Sequence, residues 1–318
     1  MTLVARAILG LAIGSLFLWL AVSHVDMKGA SQALEQARVW PLIASALIYW
    51  VAISLRTVRW RMILSEVAPL SFKQVAQCLI IGYAINNILP ARLGELFRVD
   101  FLRRHCGVAR SAGLGSIIVE RLADGLIALA LLVLGLNLAT LKFDSSALVD
   151  AAMLATAICA ALLFGLYVVL SKRHWLPNQL RWLSLRLEIL TSAITGISRM
   201  QLAQVVLLSL VVWGLEAFAI WLVAWSFGVA LTFGALCLVF GSAALSTLIP
   251  TAPGYLGSLQ VALVLSFSAL GLSTLLGLLS ATMVQLLLFG SITIVGLILL
   301  FAKHLQGFLA SRVHGEKA

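Results

Sequence analysis

The chain has 318 residues, of which 62% are hydrophobic and 11% charged, with a mean hydropathy of +1.08. Soluble domains stand near half apolar and a quarter charged, so this composition excludes a water-soluble globular protein and predicts a polytopic membrane protein. The net charge of +10 reads, in such a chain, as basic cytoplasmic loops and attraction to anionic lipid headgroups rather than nucleic-acid binding.

Arg6 leads into an apolar run over 7–22. The run has no convincing small-x-small cleavage pattern and further spans follow, so it reads as a first span and not as a signal peptide. Apolar runs of the length a span needs, about 20 residues, lie at 5–23, 39–57, 112–137, 147–170, 201–226 and 273–302. Two more stretches, 74–102 and 232–271, are interrupted by proline and glycine. Each predicts a helical hairpin that enters and leaves the membrane on one side. Non-helical backbone at that depth is tolerated only where protein or water covers it. Between the fourth and fifth spans, apolar residues recur three and four apart from Leu176 to Ile197 and Pro177 suits a first turn, which predicts a cytoplasmic amphipathic helix within 172–199, lying in the interface or packed on the cytoplasmic face of the bundle.

Basic residues set the sides. Arg56, Arg59, Arg61 and Lys73 follow the second span, and Arg103, Arg104 and Arg110 follow the first hairpin. Lys172, Arg173, Arg181, Arg186 and Arg199 lie before the fifth span, and Lys303, Arg312 and Lys317 follow the last. Placing these in the cytoplasm puts both termini inside and the two hairpins on opposite sides. Pro90 and Pro250 are also 160 residues apart, as are Gly94 and Gly254. The expectation is one integral membrane domain over 1–318, all-α, with about six full spans and two re-entrant hairpins. Residues 39–137 and 201–302 would be inverted-topology repeats. Broken helices at matching positions of two such halves point to a substrate site between them.

Charges inside a membrane need a reason. The first hairpin carries Asn87, Pro90, Arg92, Gly94, Glu95 and Arg98, with the charged residues three apart on one helical face. The third span opens with Glu120, Arg121 and Asp124, and Glu216 sits in the fifth with no partner nearby in sequence. The second hairpin carries Pro250, Pro253, Gly254, Gly257 and Gln260. On one reading these residues line a hydrated cavity in which arginine forks and half-helix amides take a phosphate, and glycines admit it to the backbone. On the other, the charges pair with one another and staple hairpin to span. The sequence contains no HExxH, GxSxG or P-loop pattern, and its four scattered cysteines form no CxxC. No enzyme, metal site or cofactor is expected. A homo-oligomer is left open.

Three motifs in order, Asn87-x-x-Pro90-x-Arg92-x-Gly94-Glu95-x-x-Arg98, Glu120-Arg121-x-x-Asp124 and Pro250-x-x-Pro253-Gly254-x-x-Gly257, resemble the lysylphosphatidylglycerol synthase transmembrane-region family. The family's last motif usually reads Pro-Gly-Gly-x-Gly followed by Glu. Tyr255 stands here at the middle position and Gln260 at the acidic one, so the resemblance does not carry a proton-bearing carboxylate to Gln260. The resemblance implies a flippase-type membrane domain without fixing its cargo; the arginines and half-helix amides point to membrane lipids of anionic headgroup as partners, in a bacterial-type cytoplasmic membrane. Only 16 residues follow the last predicted span, so no soluble aminoacyl transferase domain is expected. The expected work is lipid translocation. The alternatives are an accessory role in lipid or lipid-linked glycan synthesis, and ion-coupled transport of a small solute.

Overall fold

A computed structural model describes residues 3–23, 25, 29–65, 67–89, 93–142, 199–247 and 253–315. The described residues are helical, with no strand among them. In chain order they form α1 (Leu3–Ser23), α2 (Ala30–Glu35), α3 (Val39–Leu64), α4 (Phe72–Ile88), α5 (Leu93–Cys106) and α6 (Arg110–Leu138). After the undescribed stretch come α7 (Arg199–Ser226), α8 (Phe233–Ser246), a 3-10 turn (Pro253–Tyr255) and α9 (Ser258–Ala269). The chain continues through α10 (Thr274–Val284) and a π-helical segment (Gln285–Phe289) into α11 (Gly290–Gly315). The expected span at 147–170, the amphipathic helix within 172–199, and Pro90, Arg92 and Pro250 lie outside the described residues.

Among the described residues, three helices are long and apolar enough to cross a membrane: Val39–Leu64, Ala203–Ser226 and Thr274–Ala302. The first corrects the sequence expectation. The helix begun at residue 39 does not stop at 57 but continues to Leu64, so Arg56 and Arg59 are not loop charges. Both are buried, Arg59 almost completely, and they add nothing to the count of basic residues outside the membrane. The apolar run over 112–137 is α6, whose three charges at 120–124 lower its hydropathy without interrupting the helix.

Each predicted hairpin is a pair of short helices packed on one another, α4 on α5 and α8 on α9. Both begin with a hydroxyl cap. Ser71 and Gln74 form a reciprocal capping box at α4, and the Thr232 hydroxyl accepts from the Ala235 amide at α8. The long helices then pack reciprocally: α3 along α7, α4 against α11, and α8 against α6.

Small residues set how closely these helices approach. A Cβ on Gly241 would stand 2.5 Å from the Leu132 backbone nitrogen, and one on Gly135 would stand 2.5 Å from the Leu238 Cα. Across the other seam, a Cβ on Gly296 would stand 2.8 Å from the Ile80 carbonyl oxygen. Helices in lipid have no hydrophobic drive toward one another, so backbone-to-backbone contact at glycine supplies much of their attraction. Gly241→Ala and Gly135→Ala are therefore expected to lower stability by about 1–3 kcal/mol through overpacking. Gly214, with open space where its Cβ would stand, should accept alanine with no loss. Thermal unfolding of the purified variants in detergent checks both expectations.

Candidate functional site

Four arginines and four carboxylates meet where α3, α5, α6 and α7 converge. Arg56 donates from Nε and Nη2 to the two oxygens of Glu216, at 2.6 and 2.8 Å, and from Nη1 to Asp124 at 3.4 Å. Arg59 reaches Asp124 at 3.0 Å and Glu120 at 3.3 Å, and donates to the Ser209 hydroxyl at 3.0 Å. Arg98 crosses from the first hairpin to Glu120 at 2.9 Å and lies 3.4 Å over the ring of Trp60. Arg121 faces Glu120 at 3.0 Å, Asp124 at 3.5 Å and Glu95 at 3.8 Å. The Trp213 indole N–H donates to Asp124 at 3.0 Å.

Helical spacing explains the convergence. Arg56, Arg59 and Trp60 share one stripe of α3, and Glu120 and Asp124 stand one turn apart on α6. Each buried charge therefore meets an opposite charge, as a low-dielectric setting demands. Of the residues expected from sequence, Glu95, Arg98, Glu120, Arg121, Asp124 and Glu216 are joined into this one network. Glu216, without a partner nearby in sequence, has one from α3. Asp100 stands apart and pairs with Arg104 and Arg110.

The network forms one wall of a cavity of about 140 Å³. Arg56, Arg121, Asp124 and Glu216 line it on that side, and Tyr49, Tyr83, Trp213, Phe240 and Phe289 supply aromatic surface. Asn86, Asn87, Thr247 and Tyr255, which flank the breaks in the two hairpins, also line it.

The π-helical segment ties both tips together. Asn87 donates to the Phe289 carbonyl at 3.1 Å and to the Thr293 hydroxyl at 2.9 Å. Gln285 donates to the Gly254 carbonyl at 2.5 Å and accepts from the Gln260 amide group at 2.5 Å. A widened helical turn offsets the backbone groups around it, so side chains from two hairpins meet at one bulge.

The glycines serve packing here. The side-chain space of Gly94 is filled by α4, where a Cβ would stand 2.6 Å from the Asn86 nitrogen. That of Gly257 is filled by α1, with the Leu18 nitrogen at 2.8 Å. The Gly257 amide, expected as a free donor at a half-helix start, donates to Gln260 Oε1 at 2.8 Å. Glutamine suits the position because it accepts this bond and donates the next one to Gln285. Gly254 has φ 64°, and its Cβ position lies 3.4 Å from the Asn87 carbonyl oxygen, so the tips approach closely.

Tyr255 follows with φ 60°, a left-handed backbone that favours glycine and costs a β-carbon-bearing residue about 1–2 kcal/mol. Its ring packs edge-on to Phe289 and faces the cavity. The departure from the expected Pro-Gly-Gly pattern thus keeps the glycine-like backbone and adds an aromatic ring to the site.

Sequence reasoning missed Arg56, Arg59, Tyr49, Tyr83 and Trp213. Two signals were available for the arginines. They lie three apart with Trp60 on the same stripe, and the 160-residue offset that pairs Pro90 with Pro250 also pairs Arg56 with Glu216.

These features define a multi-pass helical membrane protein with a buried ion-pair network beside a cavity that both hairpins help to line. Residues 7–296 match the family described as the lysylphosphatidylglycerol synthase TM region, and the chain belongs to that family. It is similar to two UPF0104 membrane proteins of Methanothermobacter thermautotrophicus. One is 24% identical over 290 residues, covering 83% of this chain and 86% of the relative. The other is 26% identical over 322 aligned positions, covering 91% and 89%.

The network predicts a graded response to losing one arginine. The side chains of Arg59 and Arg98 are 1% and 2% exposed. Replacing either with alanine strands a buried carboxylate and should cost about 3–5 kcal/mol. Arg121 is 25% exposed, and its loss leaves Glu120 still held by Arg59 and Arg98. Arg121→Ala should therefore cost clearly less. Chemical unfolding of the three variants in one detergent gives the ranking.

Proposed function

We propose that this protein moves a lipid with a phosphate-bearing, anionic headgroup between the leaflets of a cytoplasmic membrane, with both of its termini on the cytoplasmic side. The family is that of the membrane region of a lipid-related protein. The observation that carries the reading is the cavity between the hairpin tips, with arginines on one wall and aromatic rings around it. Next to its lining residues, Ile88, Leu89 and Leu256 present exposed apolar side chains. A headgroup would enter the cavity while its tails stay in the bilayer along these residues. An ion-coupled carrier for a small solute shares the broken-helix logic but gives no role to apolar surface at the cavity's edge.

An inverted repeat is part of the reading. A shift of 160 residues carries 39–64 onto 199–224, where α7 lies, and 72–88 onto 232–248, where α8 lies. It also carries 110–138 onto 270–298, covered largely by α10 and α11. The reciprocal packing of α4 on α11 and α8 on α6 is what exchanging two such halves requires. Opposed hairpins of this kind would open the cavity alternately to the two sides. The protein acts in this account as a carrier and not as an enzyme, since each carboxylate of the cluster faces an arginine.

The test is a leaflet-accessibility assay in liposomes holding the purified protein, with fluorescent phosphatidylglycerol and a lipid-linked sugar phosphate as reporters. The wild type should equilibrate at least one of them. Arg121→Ala should slow it at least about tenfold, equivalent to ~1.4 kcal/mol, while remaining folded. A folded wild type that moves no lipid of the panel would leave the accessory role as the better account.

A further inference from the structure

We infer that Glu216 is a proton-binding site coupled to anion binding: an anionic headgroup takes the Arg56 fork, and the displaced Glu216 carboxylate binds a proton. This rests on the reading of the cavity as the headgroup site.

Charge balance comes first. The described cluster holds Arg56, Arg59, Arg98 and Arg121 against Glu95, Glu120, Asp124 and Glu216, so it is already neutral. An anion that enters adds uncompensated negative charge within a membrane, which is strongly unfavourable. One proton taken up with one anionic charge restores neutrality.

Geometry then selects the carboxylate. Glu120 is held by Arg59, Arg98 and Arg121 and is buried away from the cavity. Asp124 is held by Arg56, Arg59, Arg121 and the Trp213 indole. Glu216 differs from both. Among the described residues its cation is Arg56, and its side chain is 16% exposed at the cavity wall. The contact is also of the kind a phosphate would make. Arg56 presents two parallel N–H groups, from Nε and Nη2, to the two oxygens of one carboxylate. The same fork matches two phosphate oxygens. Glu216 thus occupies the place of the ligand.

The exchange balances. The phosphate oxygens accept the two hydrogen bonds that Glu216 gives up. Arg56 keeps its charge and its contact with Asp124. Glu216, no longer paired with Arg56, takes a proton from the buffered solution, whose conjugate base is left behind, and becomes neutral. The groups that face it are Arg56 and Tyr49 from α3, Arg121 and Asp124 from α6, Tyr83 from α4 and Tyr255 from the second hairpin tip. No histidine or lysine lines the cavity among the described residues. Arg121 remains beside the anion as a second cation.

The experiment is calorimetric titration of the detergent-solubilised full chain with dihexanoyl phosphatidylglycerol, in buffers of different ionisation enthalpy at neutral pH. The wild type should take up about one proton per anion bound. Glu216→Gln should bind the anion without proton uptake. Asp100→Asn, which alters a carboxylate that lies outside the cluster and pairs with Arg104 and Arg110, should still take up the proton. Anion binding by the wild type with no proton uptake overturns the inference, as does unchanged uptake by Glu216→Gln or an absence of binding. The wild-type comparison between buffers decides the matter even if a variant does not fold. The leaflet assay separates the two readings. Lipid movement without proton uptake removes the coupling and leaves translocation. Proton-coupled binding without lipid movement does the reverse.

Discussion

Four arginines and four carboxylates placed inside a bundle of apolar helices must neutralise one another, and the arrangement of the described helices follows that requirement. Arg59 and Arg98 are almost wholly buried, and each finds Glu120 on α6. One carboxylate thereby joins the long helix α3 to the second arm of the first hairpin. Asp124, one turn on, joins α3 to α7 through Arg59 and Trp213. The pairs are not added to a finished fold. Without them, α3, α5, α6 and α7 would each carry an isolated charge where a charge is penalised by several kcal/mol, and no close packing of these helices would be stable.

On that frame the hairpins need only small residues and a few amide groups. Glycines at 135, 241 and 296 let α4, α6, α8 and α11 touch backbone to backbone. The π-helical segment gathers Asn87 from one tip and, through Gln285, Gly254 and Gln260 from the other. The cavity lies among the charged cluster, the aromatic rings and the described residues that flank the two breaks.

Much of this was legible in the sequence, for reasons that can be named. Proline followed closely by glycine inside an apolar run marks a helix break, so the two hairpins and their spacing could be read from where those residues fall in the sequence. Glu95, Glu120, Arg121 and Asp124 could be grouped because helical spacing puts them on adjoining faces and buried charges need partners. Arg56 and Arg59 were misplaced because basic residues after an apolar run look the same whether they leave the membrane or turn into it. Only a carboxylate on another helix decides between these, and Glu216 is 160 positions away. Gly94 and Gly257 were expected to face a ligand, whereas neighbouring helices fill their side-chain space. Local sequence cannot say which surface approaches a glycine. The backbone of Tyr255 was hidden for a related reason, since its left-handed conformation is imposed by the hairpin and not preferred by the residue.

The measurement that tests the account most directly is a double-mutant cycle on Arg56 and Glu216, with each replaced by an apolar residue of similar size. Stability and lipid movement would be measured on the same preparations of Arg56→Met, Glu216→Leu and the double variant. Each single change should destabilise by about 3–5 kcal/mol, and the double variant should recover most of that loss because neutrality is restored. It should nevertheless move no lipid, having lost the fork that holds the headgroup. A double variant no more stable than the singles would contradict the claim that charge balance organises the fold. A stable double variant that moves lipid at the wild-type rate would contradict the claim that this ion pair is the site.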